Sequence, residues 1–158
     1  MAVNDDCVAD ISVEVQVAPF SMAYGYESAL RQRTDIGAVV TFTGLVRDFN
    51  ETPDVTGLTL EHYPGMTERT LTSIAEQAWQ RWSLQAVRVI HRVGDLAPGD
   101  PIVRVLVASA HRRDAFEACD FIMDYLKTQA PFWKKEHSRQ GAYWVKERHT
   151  DQQDADRW

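Results

Sequence analysis

The sequence predicts an α+β fold built on a mostly antiparallel sheet. Three observations predict it. Short alternating segments rich in β-branched residues outnumber the helical patterns. These segments run in the order β-α-β-β-α-β-β-α-β, so strands often follow strands instead of alternating strictly with helices. Connections of hairpin length at 48–57 and 94–101 suit antiparallel neighbours.

Each element has its own signal. ISVEVQV at 11–17 alternates, with Ile11, Val13, Val15 and Val17 on one side, as in a half-buried strand. Residues 21–32 form a weaker helix pattern, interrupted by Gly25. GAVVTFTGLVR at 37–47 is a strand pattern, DFNETPDVTG at 48–57 is loop-forming, and LTLEHY at 58–63 alternates again. From Met66 to Trp82, Leu71, Ile74, Ala75, Ala78 and Trp82 recur at helical spacing. AVRVIHRV at 86–93 is a strand. A turn at Ala97-Pro98-Gly99-Asp100 leads to IVRVLVAS at 102–109, which is apolar on both faces apart from Arg104 and therefore central. Asp114 and Glu117 have the spacing of a capping box. Phe116, Cys119, Met123 and Leu126 form a stripe on the helix that follows, which must stop before Pro131. AYWVKE at 142–147 is a last short strand.

The chain of 158 residues is 44% hydrophobic and 25% charged, enough for one domain with a core. Residues 1–10 read as an acidic, flexible N-terminus and 11–158 as a single domain. A net charge of −6 argues against nonspecific binding to nucleic acid or to an anionic membrane. The charge is uneven, however. Residues 1–20 carry four acids and no Lys or Arg, whereas Lys127, Lys134, Lys135 and Arg139 cluster against Glu136 alone. A basic patch on an acidic chain suggests a local anion site. Cys7 and Cys119 are too far apart in sequence to suggest a disulfide framework or a zinc site, and Cys119 reads as a core thiol. No signal peptide or membrane-length apolar run is evident, so a cytoplasmic protein is expected.

Common catalytic signatures are missing. There is no glycine-rich phosphate loop, no nucleophile elbow and no metal-ligand spacing, and His62, His91, His111, His137 and His149 are scattered. The positive signal is SAHRRDAFEACDFIMDYLKTQAPFWKKE at 109–136. His111, Arg112 and Arg113 stand where a strand gives way to a helix, and backbone N–H groups beside adjacent guanidinium forks suit an anion. Lys127 lies near the other end of a helix of about 13 residues, about 20 Å away. Both ends can meet one small ligand only if the chain folds back or a second subunit contributes. Plain structural readings stand beside these. Lys127 complements a helix dipole, Lys134 and Lys135 form a surface charge run, Arg47 is an exposed strand end, and Phe132 and Trp133 serve core or interface.

The strings TFTGLVRDFN, LTLEHYPGMTE, VIHRVGDLAPGD, SAHR and DYLKTQAPFWKKE, in that order, resemble the large subunits of molybdopterin synthases. The resemblance runs from about residue 11 to the terminal DQQDADRW, and EHYPGM and LKTQAPFWKKE are long, unusual matches. It implies an α/β hammerhead-like fold with an added antiparallel β subdomain. It also implies a sulfurtransferase of molybdenum cofactor biosynthesis that works as a homodimer, with one ubiquitin-like small subunit at each end of a heterotetramer. The small subunit's Gly-Gly thiocarboxylate would deliver sulfur to cyclic pyranopterin monophosphate and build the dithiolene of molybdopterin. No metal or other cofactor is implied.

Carried over residue by residue, the resemblance makes Lys127 of DYLK and Lys134 of FWKK catalytic. Arg47 of GLVR and His111 and Arg112 of SAHR contact substrate, as do Lys127, Lys134, Lys135 and Glu136. Leu45 departs from the pattern, because some relatives carry lysine there. The residue types suit the chemistry. Both reactants are anions, and fixed cations bring them together. Crowding by those cations would favour a neutral Lys127 amine, able to move a proton or bond transiently. Two other readings compete. A noncatalytic scaffold for a ubiquitin-like partner would hold no pterin beside Lys127. An unrelated phosphate-ester enzyme would turn over without a protein partner.

Overall fold

In the computed structural model, residues 8–48, 54–145 and 149–158 are described. Residues 1–7 of the N-terminal segment, Cys7 among them, lie outside these, as do residues 49–53 of the 48–57 connection and the end of the 142–147 strand.

The first sheet holds β1 (Ile11–Gln16), β2 (Ala38–Leu45), β4 (Leu84–Arg92) and β6 (Pro101–Ser109) in the order β1-β4-β6-β2. β6 is interior, as its apolar faces require, and pairs antiparallel with both β4 and β2. β1 joins β4 in parallel, with Ile11 opposite Val87. Helices α2 (Met66–Arg81) and α3 (Arg112–Gln129) cover one face. Leu71, Ile74 and Ala78 from α2 pack with Ala118, Phe121 and Ile122 from α3 over Val87, Val89, Val105 and Val107. On the face away from these helices Leu106 packs with the small side chains of Ala29, Ala86 and Ala108, with Ile36 and Val39 beside them. The buried Arg104 there donates to the Thr43 hydroxyl and the Tyr24 carbonyl. Cys119 is buried in the main core, as expected, and burial pushes its thiol pKa up to about 12, with the neighbouring Asp120 adding to the effect.

The second sheet holds β3 (Val55–His62), β5 (Gly94–Leu96), β7 (Phe132–Ser138) and β8 (Gly141–Val145) in the order β5-β3-β7-β8, all antiparallel. Leu58, Leu60 and Leu96 bury against Val46, with Ile102 beside them. The two-sheet α+β architecture agrees with the expected class. The chain closes with α4 (His149–Asp156), which lies against α3, and Trp158 packs edge-on to Trp82 and Phe121.

Several local expectations are corrected. Gly25 takes a φ of 79° with the Arg88 side chain pressed against it, so only Tyr26–Leu30 is helical (α1). Val17 lies past the end of β1 and is exposed. Val55, Thr56 and Gly57 are strand, not loop, and β2 and β3 belong to different sheets instead of forming a hairpin. α3 starts at Arg112 after an extended His111, so Asp114 lies inside its first turn and does not cap it. The helix has 18 residues, not about 13, and Phe116 on the expected apolar stripe is 61% exposed. β5, β7 and α4 have no counterpart in the expected order. β7 escapes notice because its two faces mix aromatic and charged side chains, which hides the period of two.

Candidate functional site

Residues of both sheets and of the C-terminal end of α3 line a cavity of about 760 Å³. Four expected site residues line it: Arg47, Lys127, Lys134 and Glu136. Arg47 follows β2 where Val46 is pinned to the 97–100 turn. The Val46 N–H donates to the Asp100 carbonyl at 2.9 Å, and the Gly99 N–H donates to the Val46 carbonyl at 2.7 Å. Lys127 is in the last turn of α3, whose end is set by Pro131. Lys134 and Glu136 project from the cavity side of β7, alternating with Trp133 and Lys135 on its reverse face.

Charge is balanced locally. Lys134 Nζ lies 4.0 Å from Glu136 Oε1, and the buried Glu136 carboxylate accepts a 2.6 Å bond from the Tyr143 hydroxyl. Lys127 Nζ lies 3.5 Å from Asp151 Oδ1 of α4. The cations expected to crowd Lys127 are thus accompanied by an acid from a distant part of the chain. Asp151 could not be found from sequence, because nothing in a polar C-terminal helix marks one carboxylate as facing a lysine 24 positions earlier.

Three expected residues are not in the cavity. His111 and Arg112 are exposed at the N-terminal end of α3, about 22 Å along the helix axis from Lys127. The larger separation follows from the longer helix. Lys135 turns to the other face of β7, its Nζ 5.4 Å from the Trp144 ring centroid. Leu45, by contrast, does line the cavity, as an apolar, exposed wall.

His91 was missed. It sits on β4 with its ring on the cavity and only 5% exposed. Phe132 stacks on it, centroids 3.9 Å apart and planes 19° from parallel. Its Nδ1 is 2.7 Å from the Arg92 carbonyl oxygen. Burial lowers its pKa to about 4, against the opposing effect of the Arg92 bond and with a small contribution from His62. A histidine inside an apolar strand gives no sequence signal separating a core role from a cavity role.

This arrangement can hold an anionic ligand between Arg47, Lys127 and Lys134 over an apolar floor of Leu60, Val103 and Leu126. Among the described residues no helix is long and apolar enough to cross a membrane, and no group of three or more His, Cys, Asp or Glu side chains converges as a metal site.

Residues 15–129 match the family model described as MoaE protein. The chain belongs to the MoaE protein family. The chain is 58% identical over 149 residues to a molybdopterin synthase catalytic subunit from Vibrio cholerae, covering 94% of this chain and 99% of the relative. Its fold superposes on a molybdopterin biosynthesis MoaE protein from Burkholderia ambifaria with a TM-score of 0.79 and 44% identity, covering 95% and 97% of the two chains. A molybdopterin synthase structure from Staphylococcus aureus gives the same TM-score at 30% identity, covering 84% and 96%.

Proposed function

We propose that this chain is the catalytic subunit of a molybdopterin synthase, transferring sulfur from the C-terminal thiocarboxylate of a ubiquitin-like small subunit to cyclic pyranopterin monophosphate. The observation that carries the reading is the convergence of Arg47, Lys127 and Lys134 on one cavity. Two anionic reactants can meet there only against fixed positive charge. Arg47 and Lys134 hold the substrate's phosphate, and buried Glu136 holds Lys134 in place. Lys127 moves a proton or bonds transiently as sulfur adds. Buried Cys119 is poorly suited to supply sulfur, because burial and the neighbouring Asp120 hold its thiol protonated. In this reading sulfur arrives on the carrier's slender Gly-Gly tail.

His111 and Arg112 belong to this site through a second copy of the chain. Their distance from Lys127 along one helix supports a homodimer in which each α3 N-terminus completes the partner's cavity. With one carrier per cavity the assembly is a heterotetramer, working in the cytoplasm. The side chain of Lys135 is left out of the contact set. The test is a pull-down with a thiocarboxylated ubiquitin-like carrier, followed by conversion of cyclic pyranopterin monophosphate. Product with the thiocarboxylate and none with the plain carboxylate is expected. Conversion without any carrier would overturn the reading.

A further inference from the structure

We infer that His91 is a further substrate-contacting residue of this cavity, its Nε2 accepting a hydrogen bond from a ring N–H of the bound pterin. The inference rests on the proposed function and names an atom that the proposal does not use.

The tautomer follows from the geometry. A carbonyl oxygen only accepts, so the 2.7 Å contact to Arg92 places the proton on Nδ1. The ring is held neutral by burial, with a pKa of about 4, so Nε2 carries a lone pair at neutral pH. No residue among those described bonds to Nε2. His91 lines the cavity along with the apolar Leu60, Val103, Met123 and Leu126, stacked on Phe132 and close enough to His62 for that ring to affect its titration. A ligand that covers this acceptor and displaces water from it loses affinity unless it supplies a donor.

The ligand must therefore bring a donor. A pterin is flat and carries amide and amine N–H groups along its edge. The Phe132–His91 stack offers a flat aromatic neighbour, while Arg47, Lys127 and Lys134 provide for the phosphate. One acceptor on an otherwise apolar floor discriminates a ring that bears N–H from one that does not, since a mismatched ligand leaves the acceptor unpaired.

The experiment uses the complex with thiocarboxylated carrier and compares wild type, His91→Phe and His91→Gln. His91→Phe keeps an aromatic ring against Phe132 and removes the acceptor. KM and the Kd for cyclic pyranopterin monophosphate should rise about tenfold, with kcat changed less. His91→Gln should recover part of the loss. A pterin methylated on the contacting nitrogen should bind wild type about tenfold more weakly and show no added penalty in His91→Phe. Equal penalties in both proteins, or wild-type affinity in a folded His91→Phe, would overturn the inference and leave the carrier's tail as the alternative donor. Should His91→Phe fail to fold, the imidazole 15N resonances of the wild-type complex answer instead. Nε2 should move on saturation with the pterin, and an unmoved resonance would overturn the contact. Failure of the wild-type complex to convert the pterin at all would defeat the proposed function itself.

Discussion

Lys127 Nζ and Asp151 Oδ1 face each other at 3.5 Å, joining the last turn of α3 to the C-terminal helix α4. The lysine side chain is 53% exposed, so its removal leaves no buried gap. Lys127→Ala should fold normally and lose about two to four orders of magnitude in conversion rate. Lys127→Arg separates charge from chemistry, because a guanidinium keeps the charge but does not become a neutral amine. Single-turnover assays should find both variants defective. Near-normal turnover by Lys127→Arg would reduce Lys127 to an electrostatic role.

Anion binding should reside at Arg47 and Lys134. Arg47→Ala and Lys134→Ala should each weaken substrate binding about tenfold or more, as expected for a charge-assisted contact. Crystals grown in sulfate or phosphate should show the anion in the cavity between these two side chains. An anion found only at the His111 end of an isolated protomer would displace the proposed pocket.

Sharing of the site between two copies makes a complementation prediction. His111→Ala combined with Arg112→Ala, and Lys127→Ala, should each be inactive alone. Mixed after dissociation and reassociation, they should regain activity. Random pairing makes half the dimers mixed, each with one intact site, so about a quarter of wild-type sites return. A mixture that stays inactive, although mass spectrometry shows mixed dimers, would rule out sharing.

The external sulfur source predicts that neither cysteine is needed. Cys119→Ser and Cys7→Ser should keep most activity with a thiocarboxylated carrier. Cys119→Ser should lose some stability, because a hydroxyl replaces a buried thiol. Loss of sulfur transfer in a folded Cys→Ser variant would argue for a persulfide route.

His91 also predicts a pH effect on stability. Its folded pKa is about 4, below the ordinary 6.5 of an unfolded chain. Between these values the unfolded state binds more protons, so stability falls as pH drops from 6.5 toward 4. The loss attributable to this group is about 3 kcal/mol at its full extent. Urea unfolding of wild type and His91→Phe at pH 7 and pH 4.5 isolates it. The variant should show the shallower pH dependence, and identical slopes would contradict the buried neutral ring.

What the sequence by itself determined was the α+β class, the central strands, helix α2 and the far end of helix α3. Their periodicities are strong because each buries one or both faces in a single core. The motif strings brought Arg47, Lys127, Lys134 and Glu136 into one list before any geometry, and all four line one cavity. Only the tertiary structure decided which sheet each strand joins, because pairing depends on partners far apart in sequence. β3 meets β7 across 70 residues or more, and β2 turns to β6 instead of its chain neighbour. Tertiary structure also turned Lys135 away from Lys134, since adjacent residues in a strand face opposite sides. It placed Asp151 against Lys127 and His91 on the cavity floor by contacts that no local pattern encodes. The His111 end of α3 stayed apart because a helix rising 1.5 Å per residue cannot bring its two ends together.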